Sequence, residues 1–578
     1  MSDYTVTGTK DGFTLKLWRG ERMCLLGFDV VDPEPDFVGF AVEYLEPGDA
    51  AWKCLHNRIA FDYPAQPVNG YRNWPTLVAP LQKFRWVHFP WEVRPGIYGY
   101  RVTKMHMRGN GTLVKGTCIE RSISLEPVTW PGFLDIGFTR NFASSQAFQA
   151  KLDQWHVQQP IIPALADEGL DFADARAAQN PEIYKWLGFD GAALLFEFLD
   201  EALADPEIQV DAMIYDLNEP EILRRLEALG RRLRVIIDDS SKTNDDGVKV
   251  GHGGAESCET AAAERLRASA GADHVHRGHF GGLQHNKVFI ARRGGQARRV
   301  LAGSTNFTFR GLYIQANNVL VFNNREISGL FGEMFDLAFD HMRTFRKDPL
   351  ARKWHAVTPD GLPPIHLCFS PHSDPDLALA PVGGAIDQAS SSVFYAIAFL
   401  GQTTKGPVRA ALDRLMDRPL FSYGVSDKRG QLELRKPNGS KGLVDFKYLA
   451  KRAPEPFRTE WSGGRGINIH HKFVVTDFNL PSARVFTGSS NLAPSGEKNN
   501  GDHLIMIQDP RVATAYAIEA LRMFDHLHFR VAMSEAGEDA PTRLALKKPE
   551  ALSGEPAWFE ASYVPGSQRA RDRVLFSS

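Results

Sequence analysis

The sequence predicts an α/β fold in which an all-β domain is followed by two fused α/β halves. Three observations lead to this expectation. Short β-like runs fill residues 1–128, strands and helices alternate from residue 181 to residue 535, and one small pattern of polar residues occurs twice in the second region. Strands that alternate with helices indicate a largely parallel sheet, and a pattern repeated at a fixed spacing indicates an internal duplication. We therefore expect two halves related by pseudo-twofold symmetry.

Residues 1–128 are predicted to form a β-sandwich. Runs such as "GFTLKLW", "VGFAVEYL" and "YGYRVTKMHM" often alternate apolar with polar residues, and turn sequences such as "EPGDA" and "RGNG" separate them. This alternation is typical of half-buried strands, and many short strands in succession indicate a sandwich. The stretch "PGIYGYRVT" resembles the Y-x-Y strand of fibronectin type III and immunoglobulin-like domains. Residues 129–180, which include Pro160 and Pro163, are interpreted as a connecting segment.

The first α/β half is assigned to residues 181–350. An amphipathic helix over "EIYKWLGFDGAALLFEFLDEAL" is followed by the strand "QVDAMIYDL", a helix that opens at Pro220 and the strand "RVIIDD". A polar stretch then precedes the helix "CETAAAERLRASAG". The half is completed by the strands "NKVFIA", "RRVLAGS" and "NNVLVFN" and the helix "ISGLFGEMFDLAFDHM". Each of these elements is predicted from the periodicity of its apolar residues.

The second half, residues 360–535, repeats this order. The strands "PIHLCFS", "SVFYAIAFL" and "LFSYGVS" alternate with helical stretches over "GGAIDQASS" and "GPVRAALDRLMD". The strands "HKFVVTDF", "ARVFTGSS" and "DHLIMIQ" then lead to a closing helix over "RVATAYAIEALRMFDHLHF". Residues 536–578 are rich in proline and charge, and we expect a tail that wraps the surface or is partly disordered.

The composition places narrow limits on the function. Lysine and arginine number 67 against 69 acidic residues, a net charge of −2, so any anion site must be local. The five cysteines have no CxxC spacing, which argues against a zinc ribbon or a redox pair and fits a reducing compartment. The first residues lack the features of a signal peptide, and no apolar run approaches the length of a membrane span. We expect a cytoplasmic protein, unless a signal-independent route secretes it.

The repeated pattern presents the same polar side chains twice. The members of each pair lie 185 positions apart, and they are His285 and His470, Lys287 and Lys472, Gly303 and Gly488, Ser304 and Ser489, and Asn306 and Asn491. Because alternate residues of a strand point to one face, each histidine shares a face with its lysine. Glycine permits close approach of the backbone, and serine and asparagine offer neutral donors. Two facing halves would line one pocket with two copies of every group.

Such a pocket is suited to a phosphodiester. Preorganised cations and donors stabilise the negative charge that grows on the phosphate oxygens in the transition state. One imidazole can attack phosphorus while the opposite imidazole protonates the leaving oxygen, and water activated by the second imidazole then opens the phosphohistidine. We expect no metal and no other cofactor, because lysine and asparagine neutralise the charge.

The motif H-x-K-x4-D with a downstream G-S-x-N, present twice, is typical of the phospholipase D superfamily. Over residues 180–535 the chain resembles the bacterial-type members of that superfamily. The copy "HHKFVVTD" holds the complete motif, with His470, Lys472 and Asp477. The first copy has Arg292 at the aspartate position. The superfamily includes tyrosyl-DNA phosphodiesterases, which lack this aspartate, so the resemblance implies that Asp477 supports the loop more than the chemistry.

The resemblance implies a metal-independent phosphodiester hydrolase. The leading hypothesis is lipid degradation, in which a glycerophospholipid is cleaved to phosphatidic acid and an alcohol by a protein in peripheral contact with a membrane. The first alternative is a nuclease or another phosphodiesterase that acts on nucleic acid. The second alternative is a catalytically impaired module that binds phosphate or phospholipid, and Arg292 is its only support.

The resemblance also implies an orienting group behind each histidine, an acid or amide that follows the asparagine. The matching positions are Asn317 in "LYIQANNVLVF" and Asp502 in "KNNGDHLIMI". A carboxylate raises the basicity of an imidazole, whereas an amide leaves it a better acid. Pairing across the halves would put Asp502 behind His285 and make His285 the nucleophile and His470 the general acid. Pairing within each half would reverse these roles.

A run of four histidines has two interpretations. The run "DHVHRGHFGGLQH" contains His274, His276, His279 and His285. A metal site would need further ligands, and no nearby cysteine or second histidine-rich run completes a set. We interpret the run as a strand and loop that lead into the motif.

Two polar surfaces near the first motif also have competing interpretations. The hairpin "ARRGGQARRV" contains Arg292, Arg293, Arg298 and Arg299, which form either a solvated turn or a basic lip that steers an anionic substrate. The polar stretch 238–254 is either a mobile surface loop or a lid over the pocket.

Overall fold

The computed structural model describes residues 4–57, 59–62, 74–126, 130–140, 170, 181–427, 443–445, 469–535 and 545–578. Most of the predicted connecting segment and the first part of the predicted tail, residues 536–544, lie outside the described residues. Residues 446–468, which precede the second motif, also lie outside the described residues.

Two four-stranded antiparallel sheets form the N-terminal region. The strands are β1 (Thr5–Lys10), β2 (Phe13–Arg19), β3 (Cys24–Val30), β4 (Phe37–Leu45), β5 (Lys53–Cys54), β6 (His56–Asn57), β7 (Trp74–Pro75), β8 (Arg85–His88), β9 (Ile97–Met107) and β10 (Leu113–Ser124). One sheet has the order β1-β2-β3-β8, the other has the order β10-β9-β4-β5, and β6 pairs with β7 alone. Alternate residues of β2, namely Phe13, Leu15 and Leu17, enter a core that also holds Tyr98 and Tyr100 of β9. The immunoglobulin-like connectivity stays a prediction.

The first α/β half is built on a sheet of seven described strands. They are β11 (Leu134–Phe138), β12 (Ile208–Ile214), β13 (Leu233–Ile237), β16 (Val275–Arg277), β17 (Lys287–Arg293), β18 (Gln296–Gly303) and β19 (Asn318–Phe322). Their order is β11-β19-β18-β17-β12-β13-β16. A separate hairpin consists of β14 (Ser241–Thr243) and β15 (Lys249–Gly251), and its valines Val248 and Val250 are exposed. The predicted connecting segment therefore contributes the edge strand β11 to this sheet.

The second half is built on a sheet with the same order of strands plus one at its edge. Its strands are β20 (His355–Val357), β21 (Ile365–Ser370), β22 (Ser392–Ile397), β23 (Phe421–Ser426), β24 (Leu443–Asp445), β25 (Lys472–Thr476), β26 (Arg484–Gly488) and β27 (Asp502–Ile507). The order is β20-β21-β27-β26-β25-β22-β23-β24. Without β20, each strand matches one strand of the first sheet. This equivalence supports a duplication, while the pseudo-twofold relation of the halves stays a prediction.

Both sheets are mixed, which corrects the prediction of a largely parallel sheet. In the first sheet β12, β13 and β16 run parallel, whereas β12 with β17, β17 with β18, β18 with β19 and β11 with β19 are antiparallel. The reason is local, because a tight turn through Gly294 and Gly295, both with positive φ, joins β17 to β18 and leaves no room for the crossover that parallel strands need.

Helices cover the sheets. They are α1 (Pro181–Ala204), α2 (Pro220–Leu229), α3 (Cys258–Ala270), α4 (Phe309–Tyr313), α5 (Arg325–His341), α6 (Asp376–Gln388), α7 (Pro407–Leu415), α8 (Pro494–Asn499), α9 (Pro510–Glu535), α10 (Glu550–Ser553) and α11 (Gln568–Ser577). Ser257 is the N-cap of helix α3, and its side chain accepts from Thr260 N at 3.1 Å. No helix in the described part of the chain is long and apolar enough to span a membrane.

The end of the chain packs against the N-terminal sheets. Phe576 of α11 is 0% exposed, and its carbonyl accepts from the indole of Trp18 at 2.8 Å. The ring of Trp558 lies 5.4 Å from that of Phe37. Apolar burial of this kind stabilises by about 25 cal/mol per Å². The segment 545–578 is therefore an integral part of this fold.

The two halves meet at a reciprocal seam. Gln284 bridges Gly501, and Ala316 bridges Ile469, and both bridges are parallel. Position 284 corresponds to 469 and position 316 to 501 under the same offset of 185, so each half gives the other an equivalent pair. The seam therefore places His285 of the first half beside the second half, and His470 of the second half beside the first.

Candidate active site

Two histidines at the seam each pair with a residue of the opposite half. His285 Nδ1 lies 2.7 Å from Asp502 Oδ1, and His470 Nδ1 lies 2.9 Å from Asn317 Oδ1. The crossed pairing predicted from the sequence is confirmed. Because Nδ1 of each ring is held by its orienting group, Nε2 is the nitrogen left to face a substrate, and at His470 it is also in contact with Lys472 Nζ.

Burial controls the protonation of these imidazoles. Burial, followed by the charge of Lys287, lowers the pKa of His285, and Asp502 opposes that shift. Burial and the charge of Lys472 lower the pKa of His470 well below its ordinary value. The partner of His470 is a neutral amide, so no carboxylate opposes its shift. Both rings are therefore neutral near pH 7 when no anion is bound.

Two buried lysines accompany the histidines. Lys287 is 1% exposed and Lys472 is 0% exposed. Lys472 Nζ lies 3.0 Å from His470 Nε2, while Lys287 Nζ donates to the carbonyl of His285. Burial lowers the pKa of Lys287 to about 8, and burial together with repulsion from Lys287 lowers the pKa of Lys472 well below its usual range. An entering anion would favour the charged form of both ammonium groups.

The two asparagines differ in their surroundings. Asn306 Nδ2 donates to Asp216 Oδ2. The carbonyl oxygens of Asn306 and Asn491 are buried and have no hydrogen-bond partner among the described residues. Each amide therefore has an unused acceptor, and among the described residues a carboxylate orients only Asn306.

The serines contact the orienting groups of the histidines. Ser304 Oγ donates to Asn317 Oδ1 at 2.8 Å, and Ser489 Oγ donates to Asp502 Oδ1 at 2.7 Å. A hydroxyl has one hydrogen to donate, so neither serine can give it to a phosphate while these bonds are made. Contact of Ser304 and Ser489 with substrate stays a prediction.

The glycines are also structural. Gly303 and Gly488 both have φ of 142°. A Cβ at Gly303 would lie 2.5 Å from Asn318 O, and one at Gly488 would lie 2.4 Å from His503 O. The close approach that the structure shows at these glycines is to the neighbouring strand, and their contact with substrate stays a prediction.

Asp477 and Arg292 lie at the far ends of their strands from the histidines. The Asp477 carboxylate accepts from the backbone of Ser390 at 2.9 Å and of Ser391 at 2.7 Å, which ties the end of β25 to the start of β22. Arg292 pairs with Asp211 and lies 2.9 Å from Asp336. The prediction that this position supports the loop is confirmed.

A polar cluster that the sequence did not reveal lies beside the first histidine. His252 Nε2 lies 2.6 Å from Asp216 Oδ1, and its Nδ1 lies 2.8 Å from Asp238 Oδ2. Burial lowers the pKa of His252, but the two carboxylates outweigh it and raise the pKa to about 10. Asp238 also accepts from the backbone of Gln284 at 2.6 Å. A charged His252 therefore ties together carboxylates that hold Asn306 and the strand before His285.

The second half has an apolar group at the equivalent place. Ile214 pairs with Lys287 and Ile397 pairs with Lys472, so Asp216 and Phe399, each two residues further on, are equivalent. The ring of Phe399 lies 6.1 Å from that of His470. At this position the first half therefore has a hydrogen-bonded carboxylate and the second half has an aromatic ring.

The same cluster is the only group of potential metal ligands among the described residues. Asp216, His252 and Glu259 each place one such atom within 4.8 Å of the others. Both ring nitrogens of His252 face carboxylates, however, at 2.6 and 2.8 Å. With each nitrogen directed at a carboxylate, the arrangement fits an ion-pair network.

The histidine run predicted to be strand and loop has that role. Nδ1 of His274 faces Leu233 O at 2.8 Å, and Nδ1 of His276 faces Phe339 O at 3.1 Å. His279 pairs with Asp239 at 2.6 Å. These rings have separate partners and do not converge on one point.

Three of the four hairpin arginines are held in ion pairs. Arg293 pairs with Asp205, Arg299 pairs with Glu201, and Arg292 is paired as described above. They lie at the end of β17 away from Lys287. The interpretation as a surface turn is supported. The stretch 238–254 contains the hairpin β14–β15, whose lid role stays a prediction.

Comparisons with known proteins identify one domain. Residues 199–338 match the family model "Cardiolipin synthase, PLD-like domain", which confirms the resemblance predicted from the sequence. No curated protein matches this sequence.

Several solved structures are similar to this chain. Polyphosphate kinase from Porphyromonas gingivalis is 11% identical with a TM-score of 0.39 over 90% of this chain and 78% of that one. Phosphatidylserine synthase from Haemophilus influenzae is 14% identical with a TM-score of 0.37 over 58% of this chain and 84% of that one. Nuc from Salmonella typhimurium, a phospholipase D family member, is 21% identical with a TM-score of 0.19 over 25% of this chain and 88% of that one. Similarities this low carry no argument about substrate.

Proposed function

We propose that this chain, which contains a phospholipase D-like domain, is a hydrolase that cleaves a phosphodiester through a covalent phosphohistidine on His285. One observation supports the proposal above all others. An imidazole backed by a carboxylate and an imidazole backed by an amide meet at one seam. A carboxylate favours the positive charge that a nucleophilic imidazole acquires, and an amide does not hold back a proton that must leave.

In the first step His285 Nε2 attacks phosphorus. The new P–N bond forms as the P–O bond to the leaving group breaks, and His470 Nε2 gives its proton to the departing oxygen. The negative charge on the phosphoryl oxygens is stabilised by Lys287, Lys472 and the asparagine amides. Burial and the neighbouring positive charges lower the pKa of His470. A bound phosphodiester offsets those charges, so His470 acquires its proton when the anion binds.

In the second step water replaces His285. Neutral His470 accepts a proton from the water as the oxygen attacks phosphorus, the P–N bond breaks, and a phosphomonoester is released. The neutralising charge in both steps comes from the chain's own lysines, so the reaction is proposed to be metal-independent.

Two substrate classes remain as candidates. The sequence predicts a glycerophospholipid that is cleaved to phosphatidic acid and an alcohol. Nucleic acid is the second candidate, and a specific observation favours it: the exposed cations Arg343 and Lys347 line a cavity that reaches Gly281, close in sequence to His285. The impaired binding module has little support, because Arg292 lies at the far end of its strand in ion pairs.

A turnover assay tests the proposal. Purified protein, with and without chelator, is given phosphatidylcholine vesicles, bis(4-nitrophenyl) phosphate and single-stranded DNA. We expect hydrolysis of the soluble diester that survives chelation and is lost in His285→Asn and His470→Asn. Full activity in either variant, or loss of activity in chelator, would overturn the mechanism.

A further inference from the structure

A basic groove lies beside the candidate active site. It is a cavity of about 1050 Å³ between residues 275–281 and residues 338–347. Five cationic side chains line it, namely Arg267, Arg277, Arg343, Arg346 and Lys347. Only two acidic side chains, Asp239 and Asp340, share the lining. Five cations against two acids give the groove a net charge of +3 with its histidines neutral.

The positive charge of the groove is only partly offset by the fold. No described carboxylate forms an ion pair with any of the five cations, and Arg267, Arg343 and Lys347 are exposed. Arg277 is held from within, since it donates to the carbonyls of Asp238 and His252 and lies near several carboxylates. Asp239 pairs with His279 at 2.6 Å. Arg292, Arg293 and Arg299 of the hairpin on the same half are paired with carboxylates, so the groove differs from that charged surface. Unpaired cations that converge on a concave surface indicate an anionic ligand.

The wall of the groove packs against the backbone that carries His285. The ring of Phe280 in its wall packs against Gly501, where a Cβ would lie 2.0 Å from that ring. Gly501 O accepts from His285 N at 2.9 Å. Gly281 is four residues before His285, a separation of at most about 13 Å along an extended chain. A polymer in the groove would therefore reach the histidines with a neighbouring phosphate.

We propose that the basic groove binds the phosphate backbone of a single-stranded nucleic acid and directs it to the site. A flat lipid surface cannot enter a concave cavity, whereas a single strand can lie in it and meet several cations in succession. The proposal names the substrate class of the site and in that respect rests on the proposed function. Binding in the groove is measurable without catalysis.

The test compares two charge-matched double variants of the full chain, both carrying His285→Asn to prevent cleavage. Arg343→Ala with Lys347→Ala removes two exposed cations of the groove. Arg108→Ala with Lys115→Ala removes two exposed cations of the N-terminal region. Fluorescence anisotropy measures binding of a labelled single-stranded 20-mer between 50 and 200 mM salt, and flotation measures binding to vesicles with 30% phosphatidylglycerol. Near-ultraviolet circular dichroism verifies folding.

We expect the groove variant to bind the oligonucleotide at least about tenfold more weakly at 150 mM salt, with a salt slope smaller by about 1.4, because each phosphate contact on a single strand contributes about 0.7. The control variant should bind like the parent. Equal binding by the two variants, no binding by the parent, or a loss confined to vesicles would overturn the proposal. Turnover of bis(4-nitrophenyl) phosphate by the wild-type protein reports separately on the proposed chemistry.

Discussion

His285 Nδ1 lies 2.7 Å from Asp502 Oδ1 although 217 residues separate the two along the chain. The carboxylate belongs to the second half and the imidazole to the first, so neither half holds a complete site. Burial raises the pKa of Asp502, but the charge and hydrogen bond of His285 lower it below the ordinary value. An ionised Asp502 fixes the ring so that Nε2 carries the lone pair.

Asp502→Asn should separate the proposed roles of the two histidines. The amide presents either a donor or an acceptor to Nδ1 and no longer stabilises the imidazolium, so we expect kcat to fall about 100-fold. The converse variant Asn317→Asp places a carboxylate behind His470. It should raise the pKa of the acidic limb of the pH–rate profile, because neutral His470 is the base that accepts a proton from water. Stopped-flow measurements with bis(4-nitrophenyl) phosphate test both. A wild-type kcat in Asp502→Asn would contradict the nucleophilic role of His285.

Anion binding should be coupled to proton uptake. The pKa values of His470 and Lys472 lie well below their ordinary values in the free protein, and an anion raises both. We expect sulfate, which does not titrate in this range, to bind more tightly as pH falls from 8.5 to 6, by up to about tenfold per pH unit for one proton. Calorimetry in buffers of different ionisation enthalpy measures the uptake. His470→Asn serves as control and should take up fewer protons, whereas equal uptake in that variant would assign the protons to other groups.

His252 should act as a positioning residue for Asn306. Its pKa is raised to about 10, so its stabilising contribution is complete below the unfolded value near 6.5 and is lost as pH rises through about 10. We expect His252→Gln to be destabilised most below pH 6.5, with the difference from wild type vanishing above pH 10. Urea unfolding across this range measures it.

The same variant should lower kcat about tenfold, because one orienting hydrogen bond of about 1.4 kcal/mol is lost. His274→Gln is the matched control, since its ring faces a backbone carbonyl, Leu233 O. A pH-independent stability difference for His252→Gln would show that His252 is not held as a cation.

Gly488→Ala should destabilise the second half. Its φ of 142° disfavours a side chain, and the added Cβ would meet His503 O at 2.4 Å. We expect a loss of about 3 kcal/mol in the free energy of unfolding. Gly329→Ala in α5 has open space around it and should stabilise by about 0.5–1 kcal/mol. Equal stability of the two variants in urea would contradict the structural role of Gly488.

The two sets of histidine, lysine and asparagine could be predicted from the sequence because they recur at one offset. Equivalent strands carry them to equivalent ends of two sheets, and the seam then brings His285 and His470 together. Asn317 and Asp502 could be identified because they share the offset of the histidines. That offset allows pairing within each half as well as across the halves, so the crossed pairing follows from the resemblance alone.

The acidic cluster, the partners of the serines and the basic groove depend on contacts that the sequence repeat does not reveal. Asp216 has Phe399 as its equivalent, so the acidic cluster breaks the duplication and could not be found by overlaying the halves. The partners of Ser304 and Ser489 are fixed only when neighbouring strands pair. The basic groove combines cations from positions 267 to 347, while the consecutive arginines at 292 and 293 suggested a basic surface that ion pairs neutralise.

The central claim, that His285 attacks phosphorus and His470 transfers the proton, is tested most directly by locating the covalent intermediate. His470→Asn is mixed with bis(4-nitrophenyl) phosphate, whose leaving group needs no proton, then quenched in alkali and analysed by peptide mass spectrometry. We predict a 4-nitrophenyl-phosphoryl group on His285 that accumulates because water attack lacks its base, and no adduct in His285→Asn. An adduct on another residue in His470→Asn, or turnover by His285→Asn at the wild-type rate, would contradict the account.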